Sequence, residues 1–176
     1  GVKSIGGGAF RSCRSLRYLR LPKGLKTIGA RALKDCKKLP QLNLPTGVNA
    51  IGEEALAGCA LLADMELSNE ITTIEKGTFK YCAALTTFNL PISISSIGSE
   101  AFAGCNRIKT FYVNTYHPSD ITMGEAVFEN IDLSAATLHV MQGTKSFFES
   151  TDQWKAFGKI EQTRDISGGK FTDLEA

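Results

Sequence analysis

Five cysteines recur at an unvarying interval of 23 residues, at Cys13, Cys36, Cys59, Cys82 and Cys105. Apolar residues keep the same step in further columns: Phe10, Leu33, Leu56, Phe79, Phe102; Leu16, Leu39, Leu62, Leu85, Ile108; Leu19, Leu42, Met65, Phe88, Phe111; and Leu21, Leu44, Leu67, Leu90, Val113. Leu25, Val48, Ile71 and Ile94 form another column, and Ile5, Ile28, Ile51, Ile74 and Ile97 the last, with glycine following at Gly6, Gly29, Gly52 and Gly98. A fixed period of roughly 20 to 50 residues implies a solenoid, because each unit buries its apolar edge only by stacking on its neighbours.

Written from Cys13, one unit reads C-x-x-L-x-x-L-x-L-P-x-x-L-x-x-I-G-x-x-A-L and ends just before Cys36. The alternation Leu19, Arg20, Leu21 predicts a short strand with one face inward, ended by Pro22, which cannot continue a ladder. Leu25 and Ile28 reach the core from the opposite wall, and Gly29 permits a tight turn there. Ala32, Leu33 and Cys36 have the spacing of a single helical turn packed on the core. Stacked units place equivalent residues roughly 4.7 to 4.9 Å apart, so each column becomes a ladder and the strands a parallel sheet along one face.

A chain of 176 residues with 43% hydrophobic and 22% charged residues has an ordinary globular composition and enough apolar mass for a core. Its most apolar uncharged run, Ala55 to Ala63, falls short of the roughly 20 residues of a membrane-spanning helix. No basic start followed by an apolar stretch marks a secretory signal at Gly1. Entry at Val2 to Ile5, halfway through a unit, leads us to expect further repeats or a leader upstream. The net charge of +2 is unevenly spread: residues 1–45 hold eleven of the twenty Lys and Arg and one acid, Asp35, leaving nine bases against seventeen acids.

With seven columns in register over residues 4 to about 113, the chain resembles the BspA-like leucine-rich repeat, also called the Treponema pallidum type, whose 23-residue unit reads C/N-x-x-L-x-x-I-x-L-P followed by I-G-x-x-A-F. Departures are few. Ser68 stands where Pro22, Pro45 and Pro91 stand in other units, Glu75 replaces the glycine, and Leu33 and Leu56 replace the usual phenylalanine. The stretch from Ala136 through Gly143 to Trp154, Phe157 and Ile160 is similar to the way such proteins from gut Bacteroidetes end.

The resemblance implies an α/β leucine-rich-repeat solenoid with a parallel sheet on one face, short helical turns on the other walls and a C-terminal cap. It further implies a secreted or outer-surface protein that binds host matrix or cell-surface proteins, other microbes or glycans. The repeat family carries no catalytic residues, and no cofactor is implied. Residues 1–140 are read as about six units, the first truncated and the sixth, Met123 to Val140, irregular. Residues 141–162 are read as a cap in which Phe147, Phe148, Trp154, Phe157 and Ile160 fold over the end, with a short helix from near Thr144. Residues 163–176 read as a polar tail.

The residues themselves offer little chemistry. Cysteines in single file do not converge as a tetrahedral metal site requires, and parallel side chains in a tight core are poorly placed to form disulfides. They are expected to be buried free thiols acting as small hydrophobes. Gly6-Gly7-Gly8 lacks the preceding strand and following Lys-Ser/Thr of a phosphate loop, and His117 and His139 lack partners at a catalytic or metal-binding spacing. An enzyme is not expected. The basic N-terminal third encircles the coil instead of forming one stripe and offers only Tyr18 for stacking, which disfavours nucleic acid and leaves a sulfated glycan as the alternative.

The outward strand positions remain as the candidate binding face: Tyr18 and Arg20, Gln41 and Asn43, Asp64 and Glu66, Thr87 and Asn89, Thr110 and Tyr112, then Thr137 and His139. These rows are polar and vary from unit to unit while the core columns hardly change. Such a pattern suits a scaffold with a variable binding face, and equally a spacer with a solvated one. Asn114 to Asp120 interrupts the register as an inserted loop with two aromatic side chains, Tyr116 and His117.

Overall fold

A computed structural model describes residues 1–163 and shows a stack of coils joined by parallel pairing on two walls and by turns on a third. In chain order the strands are β1 (Ser4–Ile5), β2 (Thr27–Ile28), β3 (Ala50–Ile51), β4 (Thr73–Ile74), β5 (Thr87–Leu90), β6 (Ser96–Ile97), β7 (Thr110–Val113), β8 (Thr122–Met123), β9 (Thr137–Met141) and β10 (Lys159–Thr163). One helix, α1 (Lys145–Glu149), lies between β9 and β10. Coils 1 to 4 occupy 4–26, 27–49, 50–72 and 73–95, and coil 5 begins at β6, coil 6 at β8 and coil 7 after β9.

The two-residue strands form a ladder that the sequence did not announce, built by the Ile-Gly column. In it the N–H of Gly29, Gly52, Gly98 and Gly124 donates to the carbonyl of Ile5, Ile28, Ile74 and Ile97 respectively, at 2.7–2.8 Å. Glycine is needed there because a Cβ on Gly52 or Gly98 would sit 2.5 Å from the backbone nitrogen of Ala30 or Lys76 one coil back. The one unit in which the glycine is replaced, by Glu75, is the one interface at which this ladder is broken: β1-β2-β3 and β4-β6-β8 are separate sheets. A side chain at that position holds coils 3 and 4 apart on this wall.

The strand expected around L-x-L forms a regular parallel sheet in the C-terminal half, in the order β10-β9-β7-β5. Behind it the core is aromatic. Phe79 stacks on Phe102 at 5.4 Å and Phe88 on Phe111 at 5.5 Å, with Phe128, Trp154 and Phe157 continuing the cluster. In coils 1 to 3 the same wall is extended but pairs only at the bridge Gln41–Asp64. Pro40 has no N–H to donate to coil 1, where Ala63 one coil later donates to the carbonyl of Pro40 at 3.0 Å.

The A-L-x-x-C and A-F-x-x-C segments are not helical. Alternate N–H groups bond three residues back and across to the next coil: Lys34 donates to the Arg31 carbonyl, while Leu33 donates to Ala55 and Asp35 to Ala57. An α-helical turn directs its N–H groups along its own axis and would leave none for the neighbouring coil. The alternation needs two left-handed residues per coil, found at Gly8, Arg31, Glu54, Gly77, Glu100 and Ala126 and, four residues on, at Ser12, Asp35, Gly58, Tyr81, Gly104 and Asn130.

The segment expected as a cap extends the stack by one coil, since β10 pairs with β9 in register from Lys159↔Thr137 to Thr163↔Met141. Its Gln153 side chain closes the turn wall, accepting from Val127 N–H at 3.0 Å and donating to the Gly124 carbonyl at 2.7 Å. Phe148, Trp154, Phe157 and Ile160 are buried, whereas Phe147 is exposed and packs its ring against His117 instead of folding over the end. Thr163 closes β10, and the rest of the expected polar tail lies outside the described residues.

Candidate functional site

The thiol column bonds as well as packs. Cys36, Cys59, Cys82 and Cys105 each donate Sγ–H to a carbonyl of the preceding coil, on Phe10, Leu33, Leu56 and Phe79, at 3.0–3.3 Å. Each of those carbonyls also accepts an N–H within its own turn, as Leu56 does from Cys59, so both lone pairs are used. All five cysteines are free and four are fully buried. Cys13 departs from the expectation of burial: it lies in the first coil and is exposed. Burial pushes the Cys36 thiol up to about 11 and those of Cys59 and Cys105 up to about 12, so these groups stay protonated donors and poor nucleophiles.

On the strand face, β5, β7, β9 and β10 align the outward residues in two rows. Thr87, Thr110, Thr137 and Lys159 form one, and Asn89, Tyr112, His139 and Glu161 the other. The Tyr112 and His139 rings stack at 4.6 Å with planes 19° apart. Glu161 takes Lys159 as an ion partner and brings an oxygen 3.9 Å from His139 Nδ1. The hydrogen bond from Lys159 holds the Glu161 carboxyl below its ordinary value. Lys159 and Glu161 escaped the sequence reading, although they flank buried Ile160 in the same alternation as the other strands.

The remaining candidates lie on the open part of the wall. Tyr18, 69% exposed, and Arg20 stand on coil 1, Gln41 and Asn43 on coil 2, Asp64 and Glu66 on coil 3, all at the surface. The structure therefore gathers Thr87, Asn89, Thr110, Tyr112 and His139 on one continuous sheet. The residues of coils 1 to 3 share its wall without sharing its ladder. Between coils 2 and 3 this wall opens into a groove of about 610 Å³.

The basic third is partly neutralised by the chain itself. Arg31 and Lys34 both bond the Glu54 carboxylate, at 2.6 and 2.9 Å, and hold its pKa down to about 2, with the Lys34 bond the larger cause. In the inserted loop Asn114 and Pro118 are buried, Thr115 bonds Asp120 at 2.9 Å, and Tyr116 projects into solvent. Among the described residues no three His, Cys, Asp or Glu side chains gather as metal ligands would, and no helix is long and apolar enough to cross a membrane.

Comparison with known proteins bears on this architecture. Among solved structures, a leucine-rich repeat protein from Bacteroides ovatus aligns with 21% identity and a TM-score of 0.56, over 92% of this chain and 52% of that one. The T. pallidum leucine rich repeat protein TpLRR aligns with 17% identity and a TM-score of 0.53, over 93% and 64%. The pneumococcal vaccine antigen PcpA aligns with 18% identity and a TM-score of 0.61, over 81% and 40%. At these identities the likeness is one of fold, and the chain spans about half the length of the structures it matches. No curated protein matches significantly. The model of the BspA type leucine rich repeat region matches residues 1–109 and 78–173, in six copies. With nearly the whole chain matched and the coils stacked as its columns require, this protein belongs to the BspA type leucine rich repeat family.

Proposed function

We propose that the chain is a non-enzymatic interaction module of a bacterial surface or secreted protein, which binds a host matrix or cell-surface protein, or a glycan, through its strand face. The observation that carries this reading is the double row on β5, β7, β9 and β10. Eight outward side chains, including the Tyr112–His139 stack, stand on a fully paired sheet backed by an aromatic core. A binding surface held on rigid backbone loses little conformational entropy when a partner docks, and solenoids characteristically present such extended surfaces. Family membership supports a protein-interaction role, and an outer-surface or secreted location is proposed on the same ground.

The test is a binding screen of the whole chain against matrix proteins, cell-surface proteins and a glycan array, repeated with Asn89, Tyr112 and His139 replaced together by alanine. Capture of a partner that the triple variant loses, while it melts as a folded protein, is the expected result. A partner held equally by the variant would move the site off these rows. Silence across the screen would favour a spacer that projects another domain.

A further inference from the structure

A tight turn closes the corner between the thiol column and the strand wall. The N–H of Leu16 bonds the Cys13 carbonyl at 3.0 Å, that of Leu39 the Cys36 carbonyl at 3.2 Å and that of Leu62 the Cys59 carbonyl at 3.0 Å. The two middle residues of each turn are Arg14 and Ser15 in coil 1 and Lys37 and Lys38 in coil 2, all four exposed. Arg17, just past the first turn, is exposed as well. The two turns are held in one register, because Phe10 and Ser12 donate to the carbonyls of Ala32 and Lys34 at 2.7 Å and the Cys36 thiol donates to that of Phe10. Backbone segments bonded in this way lie roughly 4.7 to 4.9 Å apart. Arg14, Arg17, Lys37 and Lys38 therefore share one corner of two adjacent coils.

No acid of these coils answers them. Asp35 is the only acid before Glu53, and its Oδ1 lies over Gly58 in coil 3. Glu54 is taken by Arg31 and Lys34. None of the four corner cations has an ion pair among the described residues. The patch is bounded, since the same turn holds Ala60 and Leu61 in coil 3 and Ala83 and Ala84 in coil 4. Although basic residues occur all around the first coils, those left uncompensated at this corner form a patch that concentrates anions.

We propose that this corner binds a linear sulfated glycan, whose sulfate groups pair with Arg14, Arg17, Lys37 and Lys38. A sulfate ester is charged at any neutral pH, and its oxygens accept the charge-assisted hydrogen bonds that guanidinium and ammonium groups donate. Its charges stand outside the sugar rings, so cations on a convex corner reach them without a groove. A single-stranded nucleic acid would call for aromatic rings beside the cations. Tyr18 is the only largely exposed ring on these two coils. The site lies off the paired strand face and does not depend on what that face binds.

The test is calorimetric titration of the whole chain with a heparin decasaccharide, set beside its fully desulfated form and a single-stranded oligonucleotide of equal charge. We expect binding that weakens with added salt and falls roughly tenfold or more when Arg14, Arg17, Lys37 and Lys38 are all changed to Gln. A control variant loses the same charge elsewhere, through Lys3→Gln, Lys23→Gln, Lys26→Gln and Lys76→Gln, and should bind nearly as the parent does. All eight side chains are exposed, so both variants keep the fold, which thermal melts verify. The desulfated sugar should not bind, and the oligonucleotide should bind more weakly. An equal loss in both variants would reduce the effect to net charge, and no loss in the corner variant would place it elsewhere. Either result overturns the proposal, as do equal binding of the desulfated sugar or the oligonucleotide and no binding of heparin. Partner capture that depends on Asn89, Tyr112 and His139 stands or falls separately.

Discussion

The Sγ of Cys82 lies 3.2 Å from the carbonyl oxygen of Leu56, one coil back, and shares that oxygen with the N–H of Cys59. Cysteine suits this column because it is small enough for the tight turn, apolar enough for the core and still a donor. The column ends at coil 6, where Ile131 stands and no thiol reaches back to Phe102.

The thiols should therefore react in two classes. In native protein a disulfide reagent should label Cys13 rapidly and the other four only as the chain unfolds, because burial raises their pKa and excludes the reagent. Titration should count one thiol before denaturation and five after it. Rapid labelling of two or more would mean that the column is not sealed. Cys82→Ala should cost about 2 kcal/mol through the lost bond and the small void, read by urea denaturation.

Gly98→Ala should destabilise the fold by about 2–3 kcal/mol, since its methyl would press on the backbone nitrogen of Lys76 and force coils 4 and 5 apart. Urea denaturation measures the change. A loss below about 0.5 kcal/mol, the size of an ordinary surface substitution, would mean that the coils separate without cost.

The converse change is Glu75→Gly. It should let coil 4 close on coil 3, so that residue 75 acquires the N–H bond to Ile51 that Gly52 and Gly98 make to Ile28 and Ile74. Hydrogen exchange followed by NMR should show the amide of residue 75 protected in the variant and unprotected in the parent. Unchanged exchange would indicate that something other than this side chain keeps β3 from β4.

Glu54 should contribute a pH-dependent increment. Its carboxyl titrates at about 2 in the fold against an ordinary 4.5, so the stabilisation is complete above 4.5 and fades as pH falls toward 2. Solvent around this surface pair limits it to about 1 kcal/mol. Glu54→Gln should be less stable than the parent by that amount at pH 7, with the gap narrowing by pH 3. An equal gap at both values would show that the loss is not electrostatic.

The columns of the sequence placed the core, the strand wall and the stacking order, because burial on a fixed period leaves its mark on residue type. Pairing between coils left a weaker mark. Glu75 is visible in the sequence as a departure from glycine, but its effect follows from the 2.5 Å approach that a neighbouring coil makes at Gly52 and Gly98. The turn wall is not legible from one unit, because Ala32, Leu33 and Cys36 have a spacing that a helical turn shares. Its left-handed positions are signalled only when columns are compared, where Gly58 and Gly104 share a place with Asp35 and Tyr81. The groove is a gap between two segments of unremarkable sequence, and a strand pattern is the same whether or not its neighbour pairs.

The turn wall has a mechanical consequence. Where a solenoid carries helices on one side and strands on the other, the sides differ in thickness, about 10–12 Å across a helix against 4.7–4.9 Å between strands, and the array must curve. From coil 4 onward cross-coil N–H to carbonyl bonds join the turns, from Gly77–Ser99 through Gly104–Glu129, as they join the strands, so the mismatch of a helical wall against a stranded one is absent there. The proposed binding rows from Thr87 to Lys159 therefore repeat at the strand spacing of about 4.7–4.9 Å, so that an elongated ligand would touch several coils at once.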